Sequence, residues 1–496
     1  MDKSWDADLV IVGCGVAGLS AAVTALEAGL SVINLERADA ADFGGNSRWT
    51  EAYMRMKNDA EIADDFEEHF ARNAGWNLDP NVTDAVSRDP SDWPAQVRSH
   101  PLIDPEVISV FAESVPPTIA WLKSLGLKFG PQPIYLLTQN TTRIAATGGG
   151  LAIIETLRDK ALALGGDIRY RTTAVDLLRD DAEGGDGAIC GVLATNPEGK
   201  RIRVRARAVV LASGGFQGNA EMMTRYVGLR SRYIRPVAPG GYYNRGEGIQ
   251  MALDAGAAPA GEFGSYHAEP VDPRSRQAEA VVFIYPYGIL VDKYAQRFIN
   301  EAPGTVDAHY DNITRSIADT PDGIAYVIFD SKVENIPRWR TSIRSDQAAY
   351  SASTLEALAA QIGISADALI KTVRNFNAAC PAEDDGETFT PFAIDHRGTS
   401  GLTIEKSHWS RRIESGPFSA YPIISANCFT FGGLKVDRDA QVLDHDGRVI
   451  NGLYAAGETM GIYHQVYNGS TSVLRGLTFG RRAAQHAAAQ RKMAQP

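Results

Sequence analysis

A glycine-rich turn near the start of the chain carries the clearest chemical signal. Gly13, Gly15 and Gly18 have the GxGxxG spacing that links a buried strand to a helix in dinucleotide-binding folds. Gly13 permits a tight turn, Gly15 lets the backbone approach a pyrophosphate at the helix N-terminus, and Gly18 lets the helix pack on the strand. Glu36 lies about 20 residues further on, where a carboxylate accepts hydrogen bonds from a ribose. The spacing predicts a dinucleotide site.

Further segments favour FAD as the dinucleotide. Residues 43–47 follow the second strand closely, and residues 449–458 repeat a strand, a glycine turn and an acid. A bound flavin needs a segment near the C-terminus that comes back to the cofactor site and brings an acid and backbone amides to the ribityl chain. A nicotinamide dehydrogenase needs no such segment. Residues 208–216 are again a strand followed by a glycine turn. The predicted cofactor-binding residues are Gly13, Gly15, Val16, Ala17, Gly18, Glu36, Arg37, Gly44, Gly45, Asn46, Ser47, Ala174, Ser213, Gly214, Gly457, Glu458, Ser472, Val473 and Leu474.

Regular elements must hold these residues in place. Residues 7–12 form a nearly continuous apolar run, which is typical of a buried parallel strand, and residues 31–35 form a second one. The small residues of 19–28 predict a helix between them, so the chain begins with a βαβ unit. Farther along, residues 324–330 indicate a strand and residues 353–362 an amphipathic helix. This pattern predicts an α/β fold.

Composition excludes several classes of function. The chain has 496 residues, with 49 Lys and Arg against 60 Asp and Glu, for a net charge of −11. An acidic chain without a basic run is not expected to bind nucleic acid. Its four cysteines are scattered without a CxxC pair, which argues against structural zinc and for a reducing compartment. Because the sequence shows neither a signal peptide nor about 18 unbroken apolar residues, we expect a cytoplasmic protein without a membrane span.

Other segments add a family resemblance. Together with the cofactor motifs, Arg-Phe-Ile-Asn-Glu at 297–301 and the Gly432-Gly433 pair resemble the fumarate reductase and succinate dehydrogenase flavoprotein superfamily (FAD-binding 2 type). The resemblance covers nearly the whole chain. Residues 267–272, 285–291 and 467–472 look most similar to tricarballylate dehydrogenases, and the superfamily also includes 3-ketosteroid dehydrogenases.

The resemblance implies a Rossmann-like FAD-binding domain with an inserted α+β capping domain that closes over the flavin. The FAD-binding domain would comprise residues 1–261 and 429–496, and the capping domain residues 262–428. FAD would be bound non-covalently, because residues 44–56 contain no histidine to form the covalent bond of the respiratory enzymes. The implied partners are a small carboxylate or ketone substrate and an electron acceptor that the sequence leaves open.

Three positions depart from the pattern of the fumarate reductases. Val306 stands where that family has a proton-donating arginine, Phe429 replaces a substrate-binding histidine, and Tyr467 replaces an arginine that clamps a carboxylate. Valine cannot donate a proton, and phenylalanine cannot pair with a carboxylate. We therefore expect dehydrogenation rather than the reduction of fumarate.

The same resemblance supplies candidates for catalysis. These are Tyr467, His267, Tyr310, Tyr285 and Arg475, with His464 as a weaker one. Tyr467 could hydrogen-bond an enolising carbonyl or serve as the base, and His267 could hold a carboxylate, although either could simply pack. Tyr285 and Tyr287 lie two residues apart on an expected strand, facing the pocket or the core. Arg475, expected at the start of the last helix, could bind a carboxylate or only a helix neighbour.

Arg297 is expected to pair with Glu301 or to contact the flavin edge, rather than to act as a base.

These observations predict an FAD-dependent dehydrogenase that forms a C=C bond next to a carboxylate or ketone. A tricarballylate-like polycarboxylate is the leading substrate, and no metal is expected. Three alternatives remain: a 3-ketosteroid or cyclic-ketone dehydrogenase, a fumarate-reductase-like enoate reductase, and a flavin redox sensor or electron-transfer subunit. A phenolic and apolar pocket would favour the ketone, and two or more Arg or His groups would favour acids.

Overall fold

The computed structural model describes residues 6–72, 84–85, 88–99, 104–131, 143–180, 187–382 and 391–493. The strands within these ranges are β1 (Ala7–Val12), β2 (Val32–Leu35), β3 (Tyr53–Met54), β4 (Phe129–Pro131), β5 (Ile144–Ala146), β6 (Asp167–Arg169), β7 (Thr173–Arg179), β8 (Ile189–Thr195), β9 (Arg201–Leu211), β10 (Arg235–Pro236), β11 (Pro259–Ala260), β12 (Tyr266–Val271), β13 (Ile289–Asp292), β14 (Ile324–Phe329), β15 (Tyr350–Ala352), β16 (Phe418–Thr430), β17 (Gly433–Leu434), β18 (Gln441–Leu443) and β19 (Val449–Ala455). The α-helices are α1 (Val16–Glu27), α2 (Phe66–Arg72), α3 (Ala95–Ser99), α4 (Pro105–Ser124), α5 (Gly149–Ala163), α6 (Ala220–Val227), α7 (Glu247–Asp254), α8 (Val306–Ile317), α9 (Leu355–Ile362), α10 (Ala366–Ala379) and α11 (Ser472–Met493).

The larger sheet has a parallel centre of five strands, β19, β9, β1, β2 and β6, whose carboxyl ends lie at one edge. Its main order is β18-β19-β9-β1-β2-β6, and β8 and β7 extend it from β9. Strand β1 is parallel to β2 and β9, with Val12 opposite both Leu35 and Leu211. Ala455 of β19 also lies beside Leu211. The loops that follow these strands therefore meet at the carboxyl edge, where ligands bind in open α/β sheets. The predicted α/β class is confirmed.

Helices α1 and α11 pack closely against each other below this edge. A Cβ atom at Gly480 of α11 would lie only 2.2 Å from the carbonyl oxygen of Ala17 in α1. Glycine at this position therefore lets two backbones approach more closely than any side chain would allow. The contact ties the helix that follows the glycine turn to the helix that ends the described chain.

The second sheet is built around the long strand β16. The order is β10-β16-β14-β13, and β12 and β15 also pair with β16. Helices α9 and α10 cover a separate apolar cluster on this sheet that includes Leu358 and Phe376. Most of these strands come from the expected capping segment, but β16 continues to Thr430 and so passes the expected boundary after residue 428.

In this region the structure confirms two of the predicted elements and contradicts a third. The expected strand at 324–330 and helix at 353–362 are confirmed as β14 and α9, and the Thr354 side chain caps α9 by accepting from the amide of Ala357. The strand expected around Tyr285 and Tyr287 is wrong, because these residues form a 3₁₀ turn. Pro286 lies between them and has no N–H to give to a sheet ladder. Among the described residues, no helix is both long enough and apolar enough to cross a bilayer.

Candidate active site

A large cavity runs from the carboxyl edge of the first sheet to the second sheet. Its lining includes all of the predicted cofactor-binding residues except Gly18 and Leu474. Gly18 instead packs on the turn, where a Cβ atom would lie 2.0 Å from the carbonyl oxygen of Gly13. The Leu474 side chain is fully buried in the core. The cavity thus collects segments from both ends and the middle of the chain.

The glycine turn forms one end of the cavity. Gly13 has φ +106°, and a Cβ atom there would lie 2.4 Å from the carbonyl oxygen of Ala212, so the turn requires glycine. Glu36 accepts hydrogen bonds from the amides of Cys14 (2.9 Å) and Ala38 (2.8 Å). Burial raises the pKa of the Glu36 carboxyl. The carboxyl group is thereby fixed beside the turn, at the position expected of a ribose ligand.

A second carboxyl group lies farther along the cavity. Glu458 accepts from the amide of Thr430 at 2.8 Å and from the Asn244 side chain at 3.1 Å. Nearby, Ser213 Oγ and Asn46 Oδ1 are buried and have no hydrogen-bond partner. Unpaired buried polar atoms in a cavity wall are costly, so this lining suits a ligand with many hydrogen-bonding groups.

Aromatic rings form the opposite end. We call Phe283, Tyr310, Phe429, Tyr467 and His267 the aromatic end of the cavity. The His267 ring lies 4.4 Å from the Tyr467 ring and 5.2 Å from the Phe429 ring, centroid to centroid. His267 Nε2 and the Tyr310 hydroxyl are 2.7 Å apart. The structure therefore brings three of the catalytic candidates together.

The ionisation of this pair is set by burial. Burial, with a smaller effect of Arg315, lowers the pKa of His267 to about 3, so its imidazole is neutral at pH 7. Desolvation, followed by the charges of Glu269 and Asp307, raises the pKa of Tyr310 well above its ordinary value. Tyr310 thus keeps its proton, and His267 is a poor base.

Tyr467 has a structural contact that the sequence did not indicate. Its hydroxyl oxygen accepts from the amides of Thr471 and Ser472 at 3.0 Å each and donates to Ser472 Oγ at 3.0 Å. These amides begin α11, where backbone N–H groups lack partners within the helix. A phenolate at Tyr467 would keep both hydrogen bonds from the backbone amides. The Ser472 hydroxyl could then turn and donate to the phenolate oxygen. Tyr467 therefore caps α11 and also lines the cavity.

Arg143 is a cavity residue that the sequence did not indicate. It lines the cavity, and its Nη2 donates to the two carboxylate oxygens of Asp307 at 2.8 and 3.0 Å. Only 8% of its side chain is exposed, and its Nε is buried without a partner. Asp307 directly follows Val306 at the start of α8, so this aspartate draws a guanidinium group to the region where valine stands. The only sequence signal was that Arg143 shortly precedes the Gly148–Gly150 run.

Acidic side chains line the wall next to the aromatic end. Burial raises the pKa of Glu269 to about 7, and burial together with Glu269 raises the pKa of Glu279 well above its ordinary value. Arg344 donates to Glu279 at 3.3 Å and also pairs with Glu51. Glu269 could have been found from the sequence, because it lies two residues after His267 on one strand face.

The remaining candidates differ in position: Arg475 lines the cavity, whereas Tyr285 and His464 do not. Tyr285 is fully buried outside the lining, and its hydroxyl has no hydrogen-bond partner. Arg475 lies inside α11, whose first residue is Ser472, and is 1% exposed. It donates to the Met460 carbonyl at 3.1 Å and lies 4.5 Å above the Tyr463 ring. His464 is not among the lining residues.

Arg297 forms the expected ion pair with Glu301, with contacts of 2.7 and 2.9 Å.

Residues 8–474 match the FAD binding domain family. The chain belongs to this family. The vinyl phenol reductase of Lactiplantibacillus plantarum is 26% identical, over 97% of this chain and 96% of that protein. The cytochrome-type fumarate reductase of Shewanella frigidimarina is also 26% identical, over 97% of this chain and 77% of that protein. The solved 3-ketosteroid-Δ4-(5α)-dehydrogenase of Rhodococcus jostii RHA1 has the same fold, with a TM-score of 0.68, 23% identity and 98% coverage of each chain.

Membership of the FAD binding domain family confirms the predicted cofactor and enzyme class. The protein is an FAD-binding oxidoreductase of the group whose members reduce or form carbon–carbon double bonds. The cavity fits FAD, because the glycine turn and Glu36 can hold the adenosine part, and Glu458 can reach the ribityl chain. When bound there, FAD supplies the exchange of a hydride.

Proposed function

We propose that the protein reduces an activated C=C bond in a small substrate that carries a ring. The observation that supports this most is the aromatic end of the cavity together with the Arg143–Asp307 pair. Aromatic faces on several sides favour a flat ring, because rings pack well in edge-to-face and offset contacts. The name of the full-length relative, vinyl phenol reductase, fits a substrate of this kind.

Reduction is supported by the protonation states around the site. The C=C bond takes a hydride at one carbon and a proton at the neighbouring carbon, so the protein must supply an acid. Arg143 carries protons at any physiological pH, and Asp307 fixes its direction. We assign it the proton-donor role that Val306 cannot fill. Tyr310 also holds its proton, whereas His267 is too weak a base to favour the reverse reaction.

A polycarboxylate substrate fits this lining less well. Glu51, Glu269 and Glu279 all line the cavity and give a substrate carboxylate no positive charge to pair with. Arg143 is already paired, and Arg475 is held against the Met460 carbonyl. The site therefore favours a substrate with at most one carboxylate over one resembling tricarballylate.

The test is to reoxidise the reduced flavin with defined substrates. The FAD-loaded enzyme would be photoreduced without oxygen and mixed with vinyl phenols, cyclic enones, ring-bearing acrylates, fumarate or aconitate. Absorbance of oxidised flavin near 450 nm would be followed. We expect ring-bearing alkenes to reoxidise the flavin at least tenfold faster than fumarate or aconitate. Equal rates, or faster reaction of the polycarboxylates, would exclude the proposed substrate class.

Dehydrogenation of a ring ketone is the second candidate. Tyr467 favours this function, because its phenol can lose a proton and still accept the hydrogen bonds that the backbone amides of Thr471 and Ser472 donate. The same absorbance measurement distinguishes reduction of the substrate from its dehydrogenation. Bleaching of the oxidised flavin by saturated cyclic ketones, without reoxidation by the enones, would establish this second function instead.

A further inference from the structure

We infer that His267, Glu269 and Cys428 form a binding site for a soft divalent cation such as Zn²⁺. One ligand atom from each residue lies within 4.8 Å of the others, and all three residues are buried. All three also line the cavity, at its aromatic end and the adjoining acidic wall. The cysteine is remote from the other two in sequence, which is why its isolated position along the chain gave no metal signal.

A β-bulge brings the third ligand to the site. His267 of β12 pairs with Phe429 of β16, but the next residue, Ala268, pairs with Asn427. Cys428 is therefore the extra residue of the bulge, and bulges turn a side chain away from the regular alternation. The Cys428 sulfur and a carboxylate oxygen of Glu269 lie within 4.8 Å of each other. His267 and Glu269 lie two residues apart on β12, so the same strand face presents both.

Two unpartnered atoms point to a missing ligand. His267 Nδ1 and Glu269 Oε2 are buried without a hydrogen-bond partner. The other nitrogen of His267, Nε2, is held by the Tyr310 hydroxyl at 2.7 Å. A histidine that binds a metal usually has its second nitrogen fixed by such a contact. We therefore assign Nδ1 as the ligating atom.

The chemistry of the three groups selects the cation. Imidazole, thiolate and carboxylate together are a zinc ligand set, with bonds of about 2.0–2.3 Å. Such bonds place the ligand atoms roughly 3.4–3.8 Å apart, so side-chain shifts of about 1 Å would close the site. On binding, Cys428 and Glu269 give up their protons to solvent and the neutral His267 gives up none. Because all three residues line the cavity, a bound cation would obstruct the substrate and inhibit the enzyme.

Direct measurement of the bound metal tests the site without any assumption about the substrate. The FAD-loaded enzyme would be dialysed against micromolar Zn²⁺, and bound zinc determined by mass spectrometry. We expect one ion per chain, with affinity reduced at least tenfold in Cys428→Ala and Glu269→Gln. Cys190→Ala is the matched control, because Cys190 is also buried but belongs to β8. X-ray absorption at the zinc edge should show one sulfur neighbour.

The site would be refuted by absent binding, by a zinc spectrum without sulfur, or by undiminished affinity in both variants. Circular dichroism and flavin content would show whether each variant folds. If Cys428→Ala fails to fold, Glu269→Gln and the absorption spectrum decide. Because binding is measured directly, an enzyme that proves inactive on ring-bearing alkenes would leave this result unaffected.

Discussion

At the residue scale, Arg143 carries the sharpest prediction. Arg143→Gln should lower the rate at which an alkene reoxidises the reduced flavin at least tenfold, a cautious floor for one acid–base group. Flavin content should stay unchanged, because Arg143 contacts Asp307 rather than the glycine turn. Stopped-flow absorbance gives the rate, and Arg340→Gln, which removes an exposed partner of Glu334, is the control. A wild-type rate in Arg143→Gln would assign proton donation to another group.

Tyr467→Phe should affect both catalysis and stability. Loss of the hydroxyl leaves the amides of Thr471 and Ser472 without their acceptor, at a cost of about 1 kcal/mol, as for other helix caps. If the protein is the ring-ketone dehydrogenase of the second candidate, Tyr467→Phe should also slow the bleaching of the flavin by substrate at least tenfold, because the base is lost. Thermal unfolding and stopped-flow measurements separate the two effects. Lower stability with full activity would make Tyr467 a cap only, and Tyr310 would be tested next.

The buried Glu269 should make stability depend on pH. Its pKa in the folded protein, about 7, lies above the ordinary 4.5, so the native state holds a proton that the unfolded chain releases between these values. Stability from this group is thus present at low pH and lost as pH rises toward 7. Glu269→Gln should therefore gain up to about 3 kcal/mol relative to wild type between pH 5 and 8.

Urea unfolding at several pH values measures this gain. The exposed turn residue Glu198 supplies the control variant, Glu198→Gln, which should show no comparable trend. A pH-independent difference between Glu269→Gln and wild type would mean that the carboxyl is ionised throughout.

At the element scale, the contact between α1 and α11 should tolerate no side chain. Gly480→Ala would place a methyl group 2.2 Å from the carbonyl oxygen of Ala17 and should destabilise the protein by about 1–3 kcal/mol. In a solvent-exposed helix the change from Gly to Ala is stabilising, so the sign of the change in the free energy of unfolding distinguishes the two situations. Gly130→Ala, where no atom lies within 4 Å, is the control. Calorimetry and flavin content report the result, and a stabilised Gly480→Ala would show that the helices can separate cheaply.

Elements formed by short-range patterns were predictable, and those decided by distant contacts were not. The opening βαβ unit is encoded by an apolar run, three glycines and a second run, all within one stretch. Likewise, most of the predicted cofactor-binding residues lie just after strands, and apolar runs and glycine turns mark these strand ends in the sequence. Arg143, in contrast, gains its place through Asp307 from another part of the chain, and such a pairing leaves no periodic signal. At Tyr285 the alternation was present, but Pro286 overrode it.

At the scale of the whole molecule, retention of the cofactor is the property to measure. We predict that the purified protein is yellow and releases intact FAD when denatured with acid. The physical reason is that the segment 44–56, which lines part of the cavity, offers no histidine for a covalent bond. Chromatography of the supernatant identifies the flavin. Flavin that stays in the protein pellet would show a covalent link.

Strand β16 joins the two ends of the cavity through adjacent residues. Phe429 belongs to the aromatic end, and the amide of Thr430, the next residue, holds Glu458 near the place expected for the ribityl chain. A shift of this strand on substrate binding would therefore be felt by the cofactor. Thermodynamic linkage makes such an effect mutual: the factor by which substrate changes the affinity for FAD equals the factor by which FAD changes the affinity for substrate. If substrate increases the affinity for FAD, loss of substrate would favour the apo form, and saturation with substrate would protect the FAD-loaded enzyme.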